Sequence, residues 1–194
     1  MRAAPFLLAS ALAVTLAPHD AGAQPAAGPA APEARRAQLD RLLDALPNAP
    51  DEDIAAAVAA QIRNLWAQAA SPAVTLLLER GRRNLRSEAA ADAVEDFDAA
   101  LVLQPDCVQA WLLRAQALAE TGDFAAAMRD LRQVLTLEPR HFTALAVLSG
   151  LQEQLGDTED ALRSMQEAVA IYPRMPGAEE RLRKLYQAAH GQGI

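Results

Sequence analysis

The 194-residue sequence holds one cysteine, one lysine and eight aromatic residues, and Val, Ile and Thr are also sparse. One cysteine cannot close an internal disulfide. Lys184 stands alone among 18 basic residues, which face 25 acidic ones; the net charge of −7 supplies no global positive field for phosphate backbones, and no nucleic-acid partner is expected. Scarce branched and aromatic side chains exclude a sheet protein, because strands are normally built from them. The longest apolar run, Phe6 to Ala17, covers about 12 residues, whereas a membrane-spanning helix needs about 20. What the chain does have is 46 alanines and 28 leucines, the two best apolar helix formers, within a globular composition of 52% apolar and 22% charged residues. One all-α unit follows.

Catalytic groupings are also missing. His19, His141 and His190 form no His-x-x-x-His pair, there is no Cys-x-x-Cys, and no Gly-x-Ser-x-Gly or glycine-rich phosphate loop occurs. Asp51-Glu52-Asp53 has a helix-end explanation, since carboxylates suit the positive end of the helix dipole. Asp92, Glu95, Asp96 and Asp98 fall on one helix and read as a solvated face, without the burial that separates the pKa values of a catalytic pair. No enzyme activity, metal or cofactor is expected.

Arg2, the run Phe6 to Ala17 and Ala21-Gly22-Ala23 have the layout of a secretory signal cleaved after Ala23. With the Ala and Arg bias of a GC-rich bacterial genome, this predicts a periplasmic or secreted protein with no stable membrane span once residues 1–23 are removed. Cys107 is either a small buried residue or an exposed thiol able to bridge two molecules. Residues 24–32, QPAAGPAAP, read as an extended tether. Leu39, Leu42, Leu43 and Leu46 lie at helical spacing before Pro47 and Pro50; Ile54, Val58, Ile62, Leu65 and Trp66 form the next stripe. Residues 33–70 therefore read as a helical hairpin, and Ser71-Pro72 restarts the chain as N-cap and first helical residue.

From there the sequence is periodic at 34 residues. Pro105, Pro139 and Pro173 share that interval, as do Ala93, Ala127 and Ala161; Gly81, Ala115 and Ser149; Leu77, Trp111 and Leu145; and Gly122 with Gly156. The glycines can end a helix in the left-handed conformation, and Asp123 and Asp157 can cap the next. Small residues facing each other let two helix axes approach to about 8–10 Å. The prolines stop each second helix. Such two-helix units leave apolar flanks that only a neighbour covers, so they stack into a solenoid.

In these columns the chain resembles the tetratricopeptide repeat (TPR) family, and is similar to its small exported alphaproteobacterial members. The resemblance implies a short right-handed α-solenoid of three helix-turn-helix repeats at 74–107, 108–141 and 142–175 within residues 71–175. Residues 33–70 form an N-terminal cap, and 176–194 a C-terminal cap helix and tail with Leu182, Leu185 and Tyr186 inward. Met165 replaces the usual aromatic, Asn84 a common Tyr, and Ser87-Glu88 stands where the other repeats carry Gly-Asp. Carrying over the family's groove positions gives a concave surface of Leu78, Arg82, Leu85 and Arg86, then Gln109, Leu112, Gln116 and Glu120, then Glu153: basic at one end, acidic at the other. The lysine and asparagine pattern of chaperone-binding members is absent.

The function implied is a non-catalytic protein–protein interaction scaffold of the bacterial cell envelope, holding a segment of a protein or peptide partner in this groove. Alternatives are a self-associating structural oligomer and an accessory subunit of an envelope assembly machine. Arg86 and Glu120, equivalent in adjacent repeats, either pair with each other or face a ligand. Leu78 and Leu112 are either a peptide-binding stripe or the seat of the N-terminal hairpin.

Overall fold

The computed structural model describes residues 30–191; the leader at 1–23 and the tether from 24 to 29 lie outside the described residues. Among those, the chain forms nine α-helices and one 3-10 turn. Helix α1 spans Ala30–Ala45, starting inside the stretch read as tether. Pro32 falls in its first turn, where backbone N–H groups have no intrahelical acceptor, so a proline there removes no bond. The 3-10 turn Leu46–Asn48 takes Pro47 and leads to α2, Glu52–Ala67, where the Asp51 carboxylate accepts from the Ile54 N–H at 2.8 Å. The buried stripe of α2 is Ala55, Ala59, Ile62, Leu65 and Trp66, whereas Ile54 is 45% exposed. The alanines let α1 approach closely and rotate the expected face.

Three helix pairs follow: α3 Pro72–Arg86 with α4 Ala90–Leu103, α5 Val108–Glu120 with α6 Phe124–Leu137, and α7 Phe142–Gln154 with α8 Thr158–Ile171. Each second helix ends two residues before Pro105, Pro139 or Pro173. Gly122 and Gly156 sit at φ +86°, and their equivalent in repeat one is Glu88 at φ +62°. The Gly-Asp column thus aligns with Glu88-Ala89, one residue later than the expected Ser87-Glu88. Asp123 caps α6 by accepting from the Ala126 N–H at 2.9 Å; Asp157 occupies the same position without that bond.

Inside each repeat, side-chain volume is traded across the helix pair. Gly81 faces Phe97, and an added Cβ would lie 2.4 Å from the ring. The next repeats carry Ala115 with Leu131 and Ser149 with Met165, all buried. A second in-phase column is ionic. Arg80 pairs with Asp96 and Arg114 with Asp130, while repeat three substitutes Leu148 and Ser164. Asp96 is only 3% exposed and also accepts from the Asn84 amide at 2.9 Å. It belongs to the core of the pair, which corrects the solvated-face reading; Asp98, more exposed, pairs with Arg114. Cys107 is buried at the N-cap of α5, and burial raises its pKa.

The hairpin α1–α2 does not cap repeat one. It runs along the turns that join the repeats. Leu39, Leu43, Leu46 and Ile62 share one apolar cluster with Phe142 and Tyr172. Arg36 pairs with Glu138; Arg140 reaches Asp44 at 2.6 Å and Asp40 at 2.7 Å; Arg174 donates to the Ala49 carbonyl at 2.9 Å. Helix α9, Ala178–His190, covers the last repeat through Leu185 and, in part, Leu182. Tyr186 points outward instead, 57% exposed and stacked on His190 with ring centroids 4.4 Å apart.

Candidate functional site

Docking the hairpin along the repeat junctions turns one side of the solenoid into a cleft of about 340 Å³. Helix α2 contributes one wall, through Arg63, Asn64, Trp66 and Ala67. Helices α3 and α5 contribute Arg82, Gln109, Leu112, Leu113 and Gln116, and the start of repeat three adds His141 and Thr143. No aspartate or glutamate is among these residues. Arg63 and Arg82 enter from different helices, above a floor supplied by Leu112 and Leu113, both under one-tenth exposed.

Three aromatic rings fix the wall. Trp66 stacks on His141 with centroids 3.8 Å apart and planes 15° from parallel, and meets Phe142 at 5.3 Å. The His141 Nδ1 accepts from the Ala144 N–H at 3.2 Å, which makes it the N-cap of α7 and places the ring's proton on the other nitrogen. Burial pushes the His141 pKa down to about 4, so the ring is neutral at neutral pH. The Trp66 indole N–H is buried without an acceptor. A buried donor left unpaired costs about 1–3 kcal/mol. Arg63 lies 6.0 Å from the Phe142 ring centre, which orients its guanidinium along the wall.

The structure brings together four of the nine sequence-derived groove residues: Arg82, Gln109, Leu112 and Gln116. Leu78 is 5% exposed and belongs to the core of repeats one and two, neither ligand stripe nor hairpin seat; Leu85 is half-buried against the same core. Arg86 and Glu120 are exposed and form no ion pair with each other. Glu153 pairs with Arg181 of the cap helix at 2.5 Å, so the acidic end of the expected groove is neutralised from within the chain. Arg63, Asn64, Trp66 and His141 were not anticipated at the site. Only Trp66 carried a signal, as the end of an apolar stripe; nothing periodic announces where the hairpin docks.

Among the described residues no helix is long and apolar enough to cross a membrane, and no group of His, Cys, Asp and Glu is arranged to hold a metal ion. The stacked helix pairs define an α-solenoid with a side-walled cleft. Two family models described as tetratricopeptide repeat match residues 78–132 and 118–189. The chain belongs to the tetratricopeptide repeat family. A TPR repeat-containing protein of Rhizobium etli is 28% identical over 94 residues, which are 48% of this chain and 46% of that protein, so the match spans just under half of the relative's length. Among solved structures, the first TPR of Spaghetti (RPAP3) bound to the HSP90 peptide SRMEEVD superposes with a TM-score of 0.57 at 21% identity, covering 60% of this chain and 92% of that one. The TPR2B domain of yeast Sti1 in complex with pHsp70 gives 0.57 at 19% identity, covering 63% and 100%. MamA gives 0.56 at 18% identity over 81% of this chain and 84% of its own. At these identities the likeness is one of fold.

Proposed function

We propose that the protein is a non-catalytic interaction scaffold, exported to the bacterial cell envelope, that holds an extended acidic segment of a partner protein in the cleft walled by α2. The observation that carries this reading is the lining. Arg63, Asn64, Arg82, Gln109, Gln116 and Thr143 all offer donors, and no carboxylate competes for them. An extended segment supplies backbone carbonyls and carboxylates at the spacing such walls need, and guanidinium contacts to carboxylates are the stronger hydrogen bonds. The leucine floor gives an apolar anchor site, the usual centre of a protein interface. Complexes of the solved neighbours with an HSP90 peptide and with pHsp70 support the use of this fold for peptide capture. The finer assignment, to a subunit of an envelope assembly machine, concerns only which client supplies the segment.

Photo-crosslinking from position 109 in the native host tests the cleft. A specific adduct is expected with the natural chain, and Arg63→Glu/Arg82→Glu should reduce it at least tenfold. An undiminished adduct would remove the cleft as the binding site. Export is tested by the intact mass of the protein from that host, expected to begin at Gln24; a mass that includes residues 1–23 would overturn cleavage.

A further inference from the structure

In repeats two and three, the first helix turns one face toward the preceding repeat. On α5 that face is Cys107, Ala110, Leu113 and Ala117, all buried in the cluster shared with repeat one. Thirty-four residues earlier the same positions are Ala73, Leu76, Glu79 and Arg83 of α3, and all four are exposed. The hairpin that precedes them in the chain lies elsewhere, on the repeat junctions. Among the described residues, nothing covers the N-terminal end of the solenoid. Leu76 there is 69% exposed, and Leu103, whose equivalents Leu137 and Ile171 are packed against neighbours, is 60% exposed.

We propose that this open face is a homodimer interface, in which α3 of one copy packs antiparallel on α3 of a second copy about a two-fold axis. Charge complementarity identifies the occupant. Glu79 and Arg83 lie one helical turn apart, and neither takes part in an ion pair within the described chain. An antiparallel pair of α3 helices sets Glu79 of one copy beside Arg83 of the other, and the reverse, satisfying four charges with one contact. The same register lays each Leu76 over the aliphatic stem of the other copy's Arg86. Growth beyond a dimer is blocked because the opposite end of the solenoid is already covered by α9, whose outer side carries Glu179, Glu180, Arg183 and Lys184. Two-fold closure uses up the only uncapped end the described repeats present. Contact through one helix and its rim is smaller than the usual ~800 Å² per partner, so a dissociation constant in the micromolar range or weaker is expected.

The test is sedimentation equilibrium of the protein purified as its host processes it, from low micromolar to near-millimolar concentration. A monomer–dimer equilibrium is expected. Glu79→Arg and Arg83→Glu should each weaken it at least tenfold, and the double exchange Glu79→Arg/Arg83→Glu should return it to within about threefold, because the pairs re-form with signs reversed. Circular dichroism melts confirm that these exposed substitutions leave the fold intact. A strict monomer throughout the range overturns the proposal. So does a dimer that the single exchanges leave unchanged, or one that the double exchange fails to restore. Adduct formation in the cleft is read separately, since none of these residues lines it.

Discussion

Replacing Gly81 by alanine sets two effects of opposite sign against each other. Alanine in a helix interior is favoured over glycine by about 1 kcal/mol. The new methyl carbon, however, would sit 2.4 Å from Cε1, 2.6 Å from Cζ and 3.0 Å from Cδ1 of Phe97, whose ring is fully buried. Carbon atoms in contact stand about 3.5–4.0 Å apart, so the overlap is roughly 1 Å against a ring with no free volume behind it. Overpacking of this kind costs about 1–3 kcal/mol, and an overlap this deep belongs at the upper end. The expected net destabilisation is about 1–2 kcal/mol. Urea denaturation followed by helical circular dichroism would show a lower midpoint at unchanged slope, and the melting temperature should fall by about 2–8 °C. Combining Gly81→Ala with Phe97→Leu recreates the Ala115 and Leu131 pairing of repeat two and should recover most of the loss. A variant Gly81→Ala as stable as the natural chain, or more stable, would refute the view that this glycine exists for the ring.

Glu88→Gly is expected to stabilise by about 1 kcal/mol, read in the same assay, because Glu88 holds a left-handed conformation that the equivalent glycines adopt without the Cβ penalty. His141 makes stability depend on pH. Its folded pKa of about 4 lies below the ordinary value of 6.5, so the unfolded chain binds the proton more readily; the stability present above pH 6.5 is lost as pH falls toward 4, by up to about 3 kcal/mol. A His141→Gln variant should lose that slope between pH 6.5 and 4 in denaturation midpoints, whatever its stability at neutral pH. Asp130→Ala removes the bonds at 2.7 and 2.8 Å that hold the Arg114 guanidinium and leaves it only the more exposed Asp98; a loss of about 1.5–3 kcal/mol is expected, whereas Arg114→Met/Asp130→Leu should stay within about 1 kcal/mol of the natural chain.

The solenoid was legible because its determinants repeat. Proline, glycine and small-residue columns at 34 residues fix where helices end and which faces meet, and the structure follows them through α3 to α8. The ionic column was equally periodic, Arg80 with Arg114 and Asp96 with Asp130, but composition alone marks such residues as solvated, and their burial shows only when the two helices are placed side by side. The cleft was half legible. Arg82, Gln109, Leu112 and Gln116 follow from position within the repeat, whereas Arg63, Asn64 and Trp66 depend on where a non-periodic hairpin docks. Leu78 illustrates the reverse error: its position in the repeat is a groove position, yet the side chain is buried in the core that repeats one and two share, just as its equivalent Leu112 is buried in the next cluster along.

The hairpin's placement decides how the cleft can respond to a partner. In a solenoid each repeat contacts only its neighbours, so width and curvature are set by a few local interfaces. Here α1 and α2 add contacts between residues about a hundred positions apart, Arg36 with Glu138, Arg140 with Asp40 and Asp44, and Arg174 with the Ala49 carbonyl. These tie the α2 wall to the junctions that follow repeats two and three. Repeat one, which supplies Arg82 to the other side, is joined to that strapped body through α4 and α5 and through the Gln104 side chain, which bridges Ala69 and Ser71. The wall that carries Arg63 and Trp66 is therefore held by an aromatic stack, an apolar cluster and ion pairs, while the wall that carries Arg82 is held mainly by one inter-repeat interface. A partner that needs a wider cleft gains it most readily by tilting repeat one, the unit whose outer face is open and whose α3 carries both the cleft arginine and the exposed Leu76.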